Sequence, residues 1–257
     1  MKTEDKVTLQ IKRLFNKACA DYGLITDGDH ILVGLSGGKD SLALVQLLGE
    51  RQKIFVPRFH VTAIHVSVEN IGYQSDTEYL RQFCQTVGVE FLHRTTKYDE
   101  HLSTKEQFAS DPTQAMLNRK EKKHCFLCSW YRRKTLFDTA RELGCNKLAL
   151  GHHKDDILQT LLMNMIYTGT YSTMPPRLQM QKFPLQVIRP LCLIEENMLQ
   201  EYARGQGYKQ VTKLCPYETE SCRSDMKQLL KVLEQYNPEV KNSLWKAMHN
   251  IKQDYLC

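Results

Sequence analysis

The chain has 257 residues, of which 42% are apolar, 25% charged and 9% aromatic, which excludes a collagen-like repeat or a wholly disordered chain and points to one or two globular domains. Thirty-five Lys and Arg against 29 Asp and Glu leave a formal charge of +6, which permits a nucleic-acid partner without demonstrating one. Met1 to Lys6 lack the apolar core of a secretory signal, and no run approaches the ~18 apolar residues of a membrane span, so a cytoplasmic protein with no membrane partner is expected, and nine cysteines there point to metal or redox chemistry rather than disulfides.

In chain order, Val7, Ile11, Leu14, Phe15 and Ala18 recur at three- and four-residue spacings, which predicts an amphipathic helix from Glu4 to about Tyr22, ended by Gly23. Ile31 to Leu35 is a short apolar run, followed by Ser36-Gly37-Gly38-Lys39-Asp40-Ser41 and the helical pattern Leu42, Leu44, Val45, Leu47, Leu48: strand, loop, helix. The order recurs, with strands at Val61 to Val68, Val89 to Arg94 and Lys147 to Leu150 and helices at Ser75 to Val87 and Leu136 to Leu143. This alternation predicts an α/β fold, a parallel sheet with helices on both faces. Between Tyr98 and Lys123 a polar stretch too long for an ordinary connection ends in the basic run Arg119, Lys120, Lys122, Lys123, and it reads as part of an inserted, cysteine-containing arm over about 98–135. A helix after Asp156 runs to about Tyr167, a loop follows through Pro176, Val187 to Leu191 is a last strand candidate, and beyond Cys222 only helical patterns remain. The expected division is an N-terminal helical segment 1–28, an α/β domain 29–210 and a C-terminal helical segment 211–257.

Three groups of residues carry chemistry. Ser36 to Ser41 falls between a strand and a helix, where glycines admit backbone N–H groups to an anion, the helix terminus adds partial positive charge and Lys39 adds a full one. That is the make-up of a polyphosphate cradle, although it matches neither G-x-x-x-x-G-K-[ST] nor G-x-G-x-x-G. The plainer alternative is a strand-to-helix turn with Ser36 or Asp40 as N-cap. Gly151-His152-His153-Lys154-Asp155-Asp156 follows the fourth strand and opens a helix with the apolar face Ile157, Leu161, Leu162 and Met165, which puts it on the same sheet edge. There Asp155 or Asp156 would hold magnesium or orient an acceptor, unless one merely caps the helix; His152 and His153 lack the third ligand of a zinc site. Cys125-Phe126-Leu127-Cys128 places two thiols at i and i+3, on one face if this is a first helical turn, where the helix start and Arg132, Arg133 and Lys134 would favour thiolates. Cys215 and Cys222 are candidate further ligands. With no second C-x-x-C a zinc ribbon is disfavoured, whereas three thiolates around an iron cluster would leave one iron open. Structural zinc or unrelated buried cysteines are the alternatives, and Cys19, Cys84, Cys145 and Cys192 read as core.

The loop resembles SGGxDS, the PP-loop of the ATP pyrophosphatase superfamily, whose members split ATP between its α and β phosphates and adenylate an acceptor. With SGGKDS, a C-x-x-C followed by Arg132-Arg133, and GHHKDD in order, nearly the whole chain resembles the tRNA 2-thiocytidine synthetases. Leu24-Ile25, Asp27-Gly28-Asp29, Met174-Pro175-Pro176 and Ile188-Arg189-Pro190-Leu191 are smaller matches. The resemblance implies a PP-loop (adenine nucleotide alpha hydrolase-like) fold, ATP with magnesium, and a [4Fe-4S] cluster on three cysteines. It also implies thiolation of a cytidine in the tRNA anticodon loop, with sulfur from a cysteine desulfurase; a homodimer is a further expectation. The ATP site would comprise Ser36, Gly37, Gly38, Lys39, Asp40, Ser41, His65 and Gly151, with Lys39, Asp40 and Asp156 catalytic and Asp40 a magnesium ligand. Cluster ligands would be Cys125, Cys128 and Cys215, which falls in register counting back from Arg223, with Cys222 as the fallback. Arg119, Lys120, Lys122, Lys123, Arg132 and Arg133 would meet tRNA phosphates, unless they form only a solvated face. The chain reads Cys215-Pro216-Tyr217-Glu218 where better-known members carry a second C-x-x-C, and it lacks the paired-cysteine zinc fingers of the related tRNA 2-thiouridine synthetases. Competing expectations are a PP-loop enzyme adenylating another tRNA base or acceptor, with cysteines on structural zinc, and a nucleotide sensor without turnover.

Overall fold

A computed structural model describes residues 3–69, 76–97, 120–181, 183–209 and 222–255, with 3–5, 120–126, 222 and 223 described by their backbone alone. The first half contains α1 (Thr3–Asp21), β1 (Asp29–Gly34), α2 (Lys39–Gln52), β2 (Phe59–Val68), α3 (Thr77–Val87) and β3 (Glu90–Thr96). It is followed by α4 (Lys120–Glu142), β4 (Lys147–Ala149), α5 (Lys154–Thr168), β5 (Arg177–Gln179), β6 (Gln186–Ile188), α6 (Glu196–Gly205), α7 (Cys222–Tyr236) and α8 (Val240–Ala247). The strands form one sheet in the order β3-β2-β1-β4-β6-β5, parallel throughout except that β5 runs antiparallel to β6.

Alternation along β1 decides which helices cover which face. Ile31 and Val33 share a core with Ile11 and Phe15 of α1, Leu44 and Leu48 of α2 and Leu80 of α3, whereas Leu32 packs on the other side with Ile64, Leu148 and Ala140 of α4. Each fully buried aliphatic side chain of this kind contributes about 1.5–3 kcal/mol. Cys84 and Cys192 are buried in the first core, with Cys19 packed at its margin, and Cys145 is buried in the second. A third cluster joins Leu158 and Leu162 of α5 to Met226 and Leu230 of α7, with Trp245 of α8 alongside, so the C-terminal helices are seated on the helix that follows β4.

Strand register positions the site. Val33 pairs with Ala63 and with Ala149, so Ser36 and Gly151, which follow β1 and β4, gather on one edge with His65 from the carboxyl half of β2. At the opposite end Asp29 forms a 2.6 Å ion pair with Lys147, the side chains 2% and 5% exposed. Asp29 also accepts from the Thr26 N–H and from Asn146 Nδ2. The Asp27-Gly28-Asp29 run thus fastens the foot of the sheet.

Three expectations are corrected. β5 was not foreseen: all three of its residues are exposed and show no alternation. The last strand stops at Ile188 because Pro190, with no N–H to give a ladder, starts a turn. The basic run Lys120, Lys122, Lys123 begins α4 itself, since Lys and Glu extend a helix readily. Cys125 and Cys128 accordingly fall in the second and third turns rather than the first, and the helix-start argument for their thiolates lapses. Ser75, the stretch from Tyr98 to Arg119, and Cys215 lie outside the described residues. No helix among the described residues is long and apolar enough to cross a membrane.

Candidate active site

The loop between β1 and α2 is braced from within. Gly37 is buried at φ +88°, a conformation open to glycine. Ser36 Oγ lies 3.1 Å from Ser41 Oγ, which donates to the Gly38 carbonyl at 2.9 Å. Gly38 is the N-cap of α2 and supplies no side-chain hydrogen bond, so neither Ser36 nor Asp40 caps the helix as the plainer alternative required. The first N–H groups and the positive end of the helix dipole therefore remain available to an anion. Lys39 Nζ stands 3.1 Å from Asp40 Oδ2 and 3.7 Å from Glu196 Oε1. Asp40 Oδ1 is buried with no hydrogen-bond partner among the described residues. An orphaned carboxylate oxygen beside a phosphate cradle fits a magnesium ion, which takes one or two carboxylates and fills its remaining positions with water and phosphate.

The second wall comes from the segment after β4. At Gly151 a Cβ would come within 3.2 Å of the Asp40 carbonyl carbon and the Ser41 nitrogen, so any larger residue would force the loop to give way by a few tenths of an ångström. His153 caps α5 by accepting from the Asp156 N–H at 3.4 Å, and Asp156 Oδ2 accepts the His153 N–H at 3.0 Å. Asp156 both closes that capping box and lines the pocket. Asp155 is engaged elsewhere: it accepts the Glu196 N–H at 2.8 Å and pairs with Lys241 at 2.8 Å. Burial raises its carboxyl, but these partners outweigh burial and hold it below the usual carboxylate range. His152 Nδ1 accepts from Arg189 Nε at 3.3 Å, and Arg189 donates to the Pro175 carbonyl at 2.6 Å, so one guanidinium joins three of the matched runs. His65 donates from Nδ1 to the Leu35 carbonyl at 2.7 Å. Its pKa is lowered by burial, despite that hydrogen bond and with help from His93 and Arg132, which keeps the ring neutral.

These groups surround a cavity of about 930 Å³. Ser36, Gly38, Lys39, Asp40, Ser41, His65, Gly151, Asp156 and Arg132 all line it, whereas Gly37 is buried without lining it and Arg133 is exposed, bonded to the Ser129 carbonyl. Sequence reasoning missed the opposite wall, made by Gln200, Ala203 and Arg204 of α6 and by Tyr208 and Lys209 beyond it. Leu199, Tyr202 and Ala203 recur at helical spacing and would have revealed the helix, though not its function. Cys128 is buried one turn before Arg132, whose Nε is buried without a hydrogen-bond partner among the described residues. Cys125 precedes Cys128 on the same helix and Cys222 opens α7, both described by backbone alone, as are Lys120, Lys122 and Lys123. Arg119 and Cys215 lie outside the described residues. Among those described, no three His, Cys, Asp or Glu are grouped to hold a metal.

A family model described as a PP-loop domain matches residues 3–230. The tRNA-cytidine(32) 2-sulfurtransferase of Geobacter sulfurreducens is 36% identical over 251 residues, 96% of this chain and 91% of that protein. That of Geotalea uraniireducens is 34% identical over 257 residues, 98% and 96% of the two chains. The chain belongs to the tRNA 2-thiocytidine synthetase family. Among solved structures, this 2-thiocytidine synthetase family member is similar to the U34-tRNA thiolase NcsA from Methanococcus maripaludis, determined with its [4Fe-4S] cluster. The TM-score is 0.74 at 28% identity, over 98% of this chain and 84% of that one. A family grounded in the PP-loop accounts for the uncapped α2 terminus and for the glycine at position 151.

Proposed function

We propose that the protein is an ATP-dependent tRNA sulfurtransferase that adenylates a cytidine of the anticodon loop and replaces its carbonyl oxygen with sulfur. The relatives named as tRNA-cytidine(32) 2-sulfurtransferases support this reading. The observation that carries it is one cavity shared by an uncapped helix terminus with Lys39 and by the helix that bears Cys128.

A ring carbonyl oxygen is a poor leaving group. Its attack on the α-phosphate of ATP gives an adenylated base and expels pyrophosphate, and AMP leaves, carrying that oxygen, when sulfur adds to the same carbon. The residues act by positioning and charge neutralisation. Lys39 and the first N–H groups of α2 hold the departing pyrophosphate, Asp40 would hold magnesium, which would neutralise phosphate charge, and neutral His65 and Gly151 border the nucleotide. Asp156, oriented by its bond to the His153 N–H, lines the same cavity and would serve the metal or the base. Cys125, Cys128 and Cys215, with Cys222 as the fallback, would hold a [4Fe-4S] cluster, which supplies an open iron position for the incoming sulfur. Buried Cys128 and the all-thiol donor set fit that group. Arg132 inside the cavity, with Arg119, Lys120, Lys122, Lys123 and Arg133, would meet tRNA phosphates, and sulfur would come from a cysteine desulfurase.

The test is nucleoside mass spectrometry of tRNA from cells with and without the protein, joined to tRNA-dependent pyrophosphate release in vitro. Lys39→Ala should abolish pyrophosphate release while leaving iron content intact, and Cys128→Ala should lose iron while retaining ATP binding. Normal pyrophosphate release by the lysine variant would overturn this division. Stoichiometric zinc instead of iron after anaerobic purification would favour the adenylating rival.

A further inference from the structure

Glu196 opens α6 and belongs to no motif, yet its carboxylate stands between two ammonium groups from distant parts of the chain. Oε1 is 3.7 Å from Lys39 Nζ at the phosphate loop, and Oε2 is 2.7 Å from Lys227 Nζ on α7. The residue is held in place from behind, because its N–H donates to Asp155 Oδ2 while Asp155 Oδ1 takes Lys241 of α8 at 2.8 Å. Burial alone would raise the Glu196 carboxyl, but Lys227, then Lys39 and His153, carry it below the usual range. Both side chains of the Lys39 contact are largely withdrawn from water, at 29% and 21% exposure, so the attraction is less screened than at an open surface.

We propose that Glu196 is a positioning residue for Lys39: by dividing its charge between the phosphate-loop lysine and Lys227, it sets how freely Lys39 turns to nucleotide phosphates. The seating of α7 thereby tunes ATP binding. The proposal rests on the phosphate reading of the loop. Anionic oxygens of ATP compete with Glu196 for the same ammonium. Removing the Glu196 charge leaves Lys39 with Asp40 as its one carboxylate partner among the described residues, whereas removing Lys227 leaves Glu196 to hold Lys39 more firmly.

The experiment is calorimetric binding of ATP, with magnesium, to the full chain. Glu196→Gln should bind ATP about two- to fivefold more tightly, and Lys227→Gln about two- to fivefold more weakly, the range expected of a partly screened ion pair. In the double variant Lys227→Gln should have no further effect, because its influence runs through Glu196. A structural role alone would weaken both single variants in the same direction. That result, unchanged binding in either variant, or a Lys227→Gln effect that persists in the double variant would overturn the relay and leave the phosphate loop standing. Absence of ATP binding by the unaltered protein would overturn both.

Discussion

At Gly151 a single hydrogen sets the distance between two walls of the cavity. The atoms that a methyl group would meet are the backbone of Asp40 and Ser41, which cannot swing aside as a side chain would. Gly151→Ala should therefore push the phosphate loop by a few tenths of an ångström and weaken ATP binding about tenfold, since small displacements at a reacting centre are costly. Stability should fall by about 1–3 kcal/mol, as for other overpacked sites, and calorimetry beside thermal unfolding separates the two effects. Unchanged ATP affinity would show that the approach does not matter. Gly151, Lys39, Asp40 and Asp156 are legible in the sequence because each sits in a compact run whose composition has one chemical explanation. Glu196, Arg204 and Tyr208 are not, because each is an isolated residue whose role depends on which helix the fold swings against the loop.

Among elements, the β1 and β4 feet show what a matched motif can conceal. The Asp27-Gly28-Asp29 run stands out by resemblance, yet its aspartate is locked to Lys147, at the end of the strands away from the cavity. Lys147→Met would leave the buried Asp29 carboxylate with neutral donors only, and should cost about 3–5 kcal/mol of stability, as breaking a buried ion pair does. ATP affinity, measured below the lowered melting temperature, should stay within error of the unaltered protein; a parallel loss would place the pair in the site. Elements with strong periodicity, such as α1, α2 and β2, were readable because burial imposes a pattern on them. β5 is three exposed residues held by pairing with β6, and no pattern of apolar residues records that. The start of α4 was hidden for a related reason: polar residues that favour helix look like loop when only apolar spacing is followed.

Across the whole molecule, buried charges set how stability responds to pH. Burial pushes the Asp29, Asp155 and Glu196 carboxyls up, but Lys147, Lys241 and Lys227, together with neighbouring hydrogen-bond donors and positive groups, outweigh it and hold all three below their ordinary values. Their contribution is complete above the unfolded value near ~4 and is lost as pH falls through the folded values. His65, lowered by burial, adds a loss that begins as pH falls through ~6.5, where the unfolded imidazole takes up a proton. Burial lowers Lys241, yet Asp155 and Glu234 raise it further, so its share persists up to the ordinary lysine value of ~10.5 and fades as pH rises through its folded value. Melting temperature should hold a plateau between about pH 7 and 8, decline toward acid, and decline again above ~8.5, where the unfolded thiols of Cys19, Cys84, Cys145 and Cys192 ionise while burial keeps the folded ones protonated; a rise from pH 7 to 5 would contradict these assignments.

The thiols packed between sheet and helices follow the same logic in reverse. Burial pushes Cys19, Cys84 and Cys192 up to about 12 and Cys145 to about 11. At neutral pH each is ionised in less than roughly one molecule in a thousand. Iodoacetamide, which reacts with the anion, should pass these four by in the folded protein, and peptide mapping would confirm them unmodified. They then serve as internal blanks against which carbamidomethylation of any other sulfur reports whether that sulfur is free or already engaged.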